Sequence, residues 1–273
     1  MKNIYNLTLL TLREALSRKI FITFFIISSV VLVGFGLVFA FVKIAPPEIT
    51  VDGQKIVQMN ADQIIAQGIK HFINGLLFVG GIFLSIFSVS NFVPRMLDKG
   101  TIDLFLSKPL SRQQLIWGKF FGGILVVLLN ITYLIFGIWF LMGLKFAIWG
   151  FNYLMIIPVI TFTFAVLYAM IVLLGIVMRS SILAMMLAYL IFFVLSPLLS
   201  ARESFYAFIN SKFWETVIDG VYYIIPKTAE LSKNMEELTI GAGIHDYQPI
   251  ISSALFMFLN LFLAIIIFNK KDY

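Results

Sequence analysis

The feature that most constrains this chain is a run of 23 residues, from Ile20 to Val42, that contains no charged side chain. An α-helix of that length extends about 34 Å, enough to cross the hydrocarbon core of a bilayer. Five further apolar runs follow along the chain, so the sequence predicts six membrane-spanning helices. The predicted spans are about 20–42, 72–93, 120–144, 153–178, 182–199 and 250–268.

The composition favours an all-α integral membrane protein. Hydrophobic residues make up 60% of the chain and charged residues 12%, which is about half the usual charged fraction of a soluble domain. A water-soluble fold cannot bury that much apolar surface. We therefore interpret residues 1–273 as a single transmembrane domain.

Six spans put both termini on the same side of the membrane, and the distribution of charge predicts which side. With the N-terminus inside, the inner segments hold twelve Lys and Arg against four Asp and Glu, whereas the outer segments hold eight against ten. Because basic loops stay inside, we predict a multi-pass protein of the cell membrane with both termini cytoplasmic. The net charge of +6 is thus explained by topology rather than by a nucleic-acid partner.

Two segments outside the spans also have helical patterns. Residues 1–19 predict an amphipathic helix lying in the membrane interface; the alternative is a basic flank that only sets orientation. The outer segment, about 200–249, is aromatic and amphipathic up to Pro226 and polar after it. It predicts short outer helices that re-enter the outer leaflet, followed by a solvated cap, with a small folded loop as the alternative. The apolar arc of the first helix holds Ile4, Tyr5, Leu9, Leu12, Ala15 and Leu16.

A polar stretch, Arg95 to Lys119, separates spans two and three. It contains the turn, capping and helix-ending residues that are typical of a folded element. Thr101 can cap a short helix after the turn at Lys99-Gly100. Within that helix Ile102, Phe105 and Leu106 share one face by their spacing. The stretch therefore predicts a helix with an apolar knob for docking.

The next helix begins soon after this short one. Pro109 ends the short helix because proline lacks an N–H and disfavours α geometry in the residue before it. Ser111 and Gln114 fit a capping box, in which each side chain bonds the backbone N–H of the other residue. The sequence thus predicts a helix that starts at Ser111.

No catalytic constellation is found in the sequence. There is no cysteine, and the two histidines, His71 and His245, are far apart, so a metal site is not expected. Gly118-Lys119 is followed by Phe120 and lacks the leading glycine of a Walker A motif. No Asp, Glu, Lys or Arg is central in any span, which disfavours a proton- or sodium-coupled carrier.

Small and neutral polar residues inside the spans indicate helix packing. Gly118 and Gly122 form a G-x-x-x-G pattern that permits close helix approach. Side chains such as Asn74 and Asn130 are interpreted as hydrogen-bonding groups between helices, with the lining of a substrate path as the alternative.

The motifs of the polar stretch resemble the permeases of ABC-2 type transporters. The order of an amphipathic N-terminal helix, six spans and a long outer segment with Tyr222-Tyr223-Ile224-Ile225-Pro226 is similar too. The branch that the chain resembles most includes the permease of the nitrous-oxide-reductase maturation system. The matching motifs are Lys99-Gly100-Thr101, Leu106-Ser107-Lys108-Pro109, Ser111-Arg112 and Gly118-Lys119.

The resemblance implies a permease subunit without an ATPase site or cofactor of its own, which exports a substrate. Two separate ABC ATPase subunits would bind ATP and Mg²⁺ and lie beneath two permease chains, a homodimer surrounded by membrane lipid. The loop between spans two and three would be a cytoplasmic coupling helix seated in a groove of the ATPase. The implied coupling residues are Gly100, Thr101, Ile102, Asp103, Phe105, Leu106, Ser107, Lys108, Pro109, Ser111 and Arg112.

Two other functions remain open at this point. One is a membrane-embedded enzyme of an unrecognised type that uses the aromatic outer segment as its site. The other is a non-transporting scaffold that recruits a soluble partner through the polar stretch. Activity of the purified single chain on lipid or peptide would support the enzyme, and measuring ATP hydrolysis by the purified complex separates a transporter from a scaffold.

Overall fold

The computed structural model of the chain describes residues 2–17, 19–41, 61–97, 111–146, 149–206 and 211–271. Within these ranges the regular structure is helical, with no strand. A 3₁₀ turn, Phe151–Met155, precedes the fourth span, and a π-helical turn, Ile191–Leu195, lies within the fifth. The helices are α1 (Lys2–Ser17), α2 (Ile20–Phe41), α3 (Ala61–Val89), α4 (Phe92–Met96), α5 (Arg112–Phe146), α6 (Ile156–Met178), α7 (Ser181–Leu190), α8 (Ser196–Ser200), α9 (Arg202–Tyr206), α10 (Lys212–Ile224), α11 (Thr228–Ile240) and α12 (Gln248–Lys270).

Six helical stretches in the described ranges are long and apolar enough to cross a membrane, which confirms the predicted number of spans and the all-α membrane fold class. Their bounds lie within three residues of the predicted ones, except that the third stretch starts at Arg112 instead of 120, because a helix can begin outside the bilayer. The six stretches are Phe21–Phe41, His71–Met96, Arg112–Lys145, Phe151–Met178, Ser181–Ser200 and Gln248–Lys270.

Helix α6 forms the centre of the bundle. It packs against α3, α5, α7 and α12, and its side chains are buried along most of its length. A helix that is apolar on all sides is stable inside a bundle, because no face of it prefers an aqueous or interfacial surface. The other spans surround α6 and keep many large apolar side chains exposed, as expected for helices that contact lipid.

The second span differs from the sequence-based expectation at both ends. Helix α3 begins at Ala61, whereas the sequence predicts a loop at residues 43–70, between the first two spans. Residues 43–60 of that loop lie outside the described ones. The loop prediction is wrong from Ala61 onward. The charged residues of this stretch indicate where the membrane-spanning part begins, but the helix itself begins earlier. At the other end Pro94 interrupts the helix, since it offers no N–H to the Ser90 carbonyl and its ring crowds that carbonyl.

A proline also shapes the fifth span. Pro197 cannot donate a hydrogen bond to the carbonyl of Phe193, one turn earlier. The helix widens just before it, and the Ser196 N–H bonds the Ile191 carbonyl five residues back, which defines the π turn. Such turns relieve a proline without breaking the helix.

The outer segment contains the predicted short helices, but its polar part is not simply a solvated cap. Helix α11 packs against α3, α6, α8 and α12, and its Leu231 and Met235 are fully buried. These two residues are four apart and form one apolar stripe, which the surrounding charged residues conceal in the sequence. Whether these helices re-enter the outer leaflet stays a prediction.

Candidate functional site

The residues predicted to couple the chain to a partner fall at one end of the bundle, which we call the terminal end. It contains α1, the start of α5 and the ends of α6 and α12; the end that carries α9 to α11 is the opposite end. Ser111 and Arg112 belong to the described part of the chain, whereas the predicted coupling residues from Gly100 to Pro109 lie outside it. The site is therefore built from the residues that flank this segment.

The capping box predicted at the start of α5 is confirmed. The Ser111 backbone N–H donates to Gln114 Oε1 at 3.3 Å, and the Gln114 N–H donates to Ser111 Oγ at 3.2 Å. Each bond satisfies a donor that the first turn of a helix otherwise leaves without a partner. The start of α5 is therefore fixed two residues after Pro109.

Arg112 links the start of α5 to the end of α12. Its Nη1 donates to the carbonyl oxygens of Phe268 at 2.9 Å, Asn269 at 3.3 Å and Lys271 at 2.6 Å. The last carbonyls of a helix lack partners within the helix and carry the negative end of its dipole, so a guanidinium is well suited to them. The same group lies 5.8 Å from the centre of the Phe268 ring.

Lys271 extends this connection to the fourth span. Its Nζ donates to the carbonyl oxygens of Ile176 at 2.8 Å and Val177 at 3.3 Å, near the end of α6. Arg112 and Lys271, with the helix-end carbonyls that they bind, are called the terminal clasp below. The clasp ties α5, α6 and α12 together. The family resemblance implies a coupling role for Arg112, but it does not specify the hydrogen-bond partners of this residue, which lie more than 150 residues away.

The chain before the polar segment is anchored at the same end. Met96 and Leu97 are buried, with 2% and 8% of their surfaces exposed. The Pro94 ring lies so near Gly175 of α6 that a β-carbon added there would be 3.3 Å from it. Both sides of residues 98–110 are thus attached to the bundle.

Helix α1 packs closely on α5 through the predicted G-x-x-x-G pattern. A β-carbon on Gly118 would overlap Leu7, and one on Gly122 would lie 2.5 Å from Cβ of Thr11. Real β-carbons do not approach other atoms so closely, so only glycine permits this contact. The pattern therefore serves the N-terminal helix rather than a pair of membrane spans.

A buried ion pair secures the same contact. Lys119 Nζ lies 2.5 Å from Glu14 Oε2, and the Lys119 side chain is 3% exposed. A charge so far from water needs a partner of opposite sign, and Glu14 on α1 provides it.

The apolar arc predicted for α1 is divided between two surroundings. Ala15, together with Leu7 and Thr11 just beside the arc, is buried in the bundle, whereas Tyr5 and Leu16 are exposed. The exposed apolar part suits the lipid side of an interfacial helix.

Several neutral polar side chains of the spans bond within their own helix, whereas the sequence predicted bonds between helices. Asn130 Nδ2 donates to the Val126 carbonyl at 3.1 Å, because the carbonyl one turn back is the nearest acceptor in apolar surroundings. An exception is Asn74, which donates to Thr239 of α11 at 3.2 Å. In the described ranges no group of three or more His, Cys, Asp or Glu could hold a metal ion.

The comparison with known proteins agrees with this architecture. No curated protein matches the chain significantly. A family model described as ABC-2 family transporter protein matches residues 12–273, from within α1 through all six spans to the last residue. The narrower resemblance to the nitrous-oxide-reductase branch stays a prediction. Because the match covers nearly the whole length, this chain belongs to the ABC-2 family of membrane transporter proteins.

Proposed function

We propose that this permease of the ABC-2 family is moved by a separate ATPase subunit, which docks on residues 98–110, and that it exports its substrate from the cell. The terminal end would face the cytoplasm, as the excess of Lys and Arg there predicts. ATP and Mg²⁺ would be bound by two ATPase subunits, and two copies of this chain would form the membrane-embedded homodimer. The chain itself supplies movement and no ATP chemistry.

The observation that carries this proposal is the attachment of both flanks of the polar segment. Leu97 is buried on one side, and Ser111 and Arg112 are hydrogen-bonded on the other. A segment that is anchored on both sides can transmit a displacement to the helices that anchor it, whereas a loop without anchored flanks would move by itself. This favours a coupling role over a connecting loop.

The terminal clasp provides a route by which such a displacement reaches the other helices. A displacement of residues 98–110 acts first on α5 at Ser111. Arg112 carries it to the end of α12, and Lys271 carries it from there to the end of α6. Since α6 is the central helix of the bundle, a small tilt of it changes the packing of every neighbouring span.

Co-purification tests the proposed partnership. The gene that neighbours this one is expected to encode a soluble protein with a Walker A motif, and the two proteins are co-expressed with a tag on the permease. We expect the ATPase to co-purify and the complex to hydrolyse ATP in lipid nanodiscs. Hydrolysis that responds to lipid or to an added substrate supports transport. A stable complex whose hydrolysis responds to neither would instead support a scaffold.

A further inference from the structure

A small polar cavity lies at the opposite end of the bundle, where span five meets α10 and α11. It is lined by Tyr222, Pro226, Lys227 and Glu230 from the outer segment and by Ser196 with its neighbours from span five. The cavity has room for about one water molecule. None of these residues belongs to the terminal clasp or to the proposed coupling segment.

Two side chains in the wall of this cavity have polar atoms without partners. Lys227 Nζ and Glu230 Oε2 are both buried, and neither has a hydrogen-bond partner among the described residues. Lys227 as a whole is 3% exposed. A buried ammonium or carboxylate oxygen without a hydrogen bond is costly, and both residues line one small cavity, so the pair calls for a bridging group there.

The surroundings hold these two side chains in place. Tyr222 OH donates to the other oxygen of Glu230, Oε1, at 2.6 Å. Lys227 Nζ lies 3.9 Å from the centre of the Tyr222 ring, and the Arg202 guanidinium carbon lies 3.5 Å from the same centre. Arg202 is itself bonded to Asp219 at 3.1 Å.

The charge state of Lys227 is sensitive to this environment. Burial lowers the pKa of Lys227, the Glu230 carboxylate opposes that effect, and nearby Arg202 adds to it. An acceptor at Nζ would favour the ammonium form, which is the form that attracts Glu230. The cavity and the two charged groups therefore both favour a small molecule that accepts a hydrogen bond from Lys227 and donates one to Glu230.

We propose that this cavity is a binding site for one ordered water molecule, which accepts a hydrogen bond from Lys227 Nζ and donates one to Glu230 Oε2. Water is the small molecule that both accepts and donates within so small a volume. The bridge closes a polar group of the outer segment that would otherwise be incomplete.

The water site lies at the corner where the outer segment is fastened to the bundle. The Lys227 N–H donates to Ser253 Oγ of span six at 3.2 Å, and the Ala229 N–H donates to Ser196 Oγ of span five at 3.0 Å. These bonds hold the backbone on either side of Thr228. The water bridge joins two residues of the outer segment, so it stabilises the corner that these two bonds attach to spans five and six.

Direct observation of the purified chain in nanodiscs provides the first test. A cryo-EM map at a resolution that shows ordered waters is expected to contain a peak about 2.7–3.2 Å from both Lys227 Nζ and Glu230 Oε2. A direct ion pair between the two side chains, or the absence of a peak, would overturn the proposal.

Paired substitutions provide a test that needs no map. Lys227→Met and Glu230→Gln are each expected to lower Tm by about 3–6 °C, because the first removes the donor to the water and the second removes the negative charge that favours the buried Lys227 ammonium. The double variant should lose clearly less than the sum of the two, since both groups share one water. Lys233→Met and Glu236→Gln, on the same helix but outside the cavity, serve as controls and should shift Tm by under about 1 °C. Simple addition of the two losses would show that the side chains act separately and would refute the shared site.

Discussion

The two ends of the bundle are held together in different ways. At the terminal end Arg112 bonds to carbonyls 156–159 residues away, and Lys119 pairs with Glu14 at a separation of 105 residues. At the opposite end the Arg202–Asp219 pair is separated by 17 residues, and the neighbouring Tyr and Glu contacts are more local still. The charged groups of one end thus join distant parts of the chain, whereas those of the other end form a local network.

This difference bears on what each end can do. Long-range contacts at the terminal end make α1, α5, α6 and α12 into one unit, so a force applied there moves several spans together. The local network at the opposite end rigidifies the outer segment itself, which is attached to the spans by the bonds around Thr228, by the Asn74–Thr239 bond and by the buried face of α11. We infer that the terminal end drives movement and the opposite end follows it.

The largest effect is expected from a charge placed in the proposed coupling segment, residues 98–110. Phe105→Asp or Leu106→Asp should abolish co-purification of the ATPase, because an aspartate cannot enter an apolar groove without a large desolvation cost. Membrane insertion should be unchanged. Phe213→Asp, at an exposed position of α10 at the opposite end, is the control and should retain the partner. If the ATPase co-purified unchanged with Phe105→Asp and with Leu106→Asp, docking at this end would be contradicted.

Removing one partner of the buried ion pair comes next. Glu14→Gln removes the carboxylate that pairs with the buried Lys119 ammonium, and we expect a loss of about 3–5 kcal/mol in the free energy of unfolding. Thermal or denaturant unfolding in detergent measures it. Glu203→Gln removes the exposed carboxylate of a pair at the opposite end and should have little effect. Equal losses for the two variants would erase the difference between the ends.

Helix contact at the terminal end can be tested with one methyl group. Gly118→Ala forces α1 away from α5 and is expected to cost about 1–3 kcal/mol of stability. Gly80→Ala adds the same methyl group where no atom lies within 4 Å, so it should be neutral or slightly stabilising. The difference in Tm between the two variants is the measurement, and its absence would mean that α1 is not packed this closely.

The terminal clasp offers a matched pair of neighbouring lysines. Lys271→Met removes the bonds to the Ile176 and Val177 carbonyls and should cost about 1 kcal/mol, the scale of a cation at a helix end. Lys270→Met changes an exposed neighbour and should cost less. In the complex with the ATPase, Lys271→Met should also reduce the response of hydrolysis to substrate. A response equal to that of Lys270→Met would remove α6 from the proposed route.

The smallest effect is expected from the exposed network at the opposite end. The hydrogen bond from Tyr206 lowers the pKa of Asp219, burial opposes this, and the bonds to Arg202 lower it further. A carboxyl whose pKa is lowered in the folded state stabilises the protein at pH values above its ordinary pKa. This stabilisation is lost as the pH falls through the folded-state pKa. Asp219→Asn should therefore lower Tm only slightly at pH 7, and the difference from the unchanged chain should shrink as the pH falls below about 4 and vanish below the folded-state pKa. A large shift at neutral pH would mean that this network supports the whole bundle.

Local patterns predicted much of this fold. Six apolar runs gave six spans, and Ser111 with Gln114 gave the start of α5 together with its bonds. Both depend on residues within a few positions of one another, where spacing and backbone geometry dictate the outcome. The start of α3 at Ala61 was missed because a helix can continue beyond the bilayer without any change in hydrophobicity.

Contacts between distant residues could not be predicted in the same way. The spacing of Gly118 and Gly122 predicted that another helix packs closely on α5, but it did not identify α1 as that helix. The coupling role assigned to the residues from Gly100 to Arg112 stays a prediction, supported by the anchoring of their flanks.

The sequence by itself determined that this chain is a six-span membrane protein with a punctuated polar segment, because hydrophobicity, proline and capping act over a few residues. Only the tertiary structure decided that Arg112 and Lys271 close the ends of α12 and α6, and that Lys227 and Glu230 face one cavity. The physical reason is that a free helix-end carbonyl or a buried charge takes whichever partner the packing of the whole bundle brings near it, and no local pattern specifies that partner.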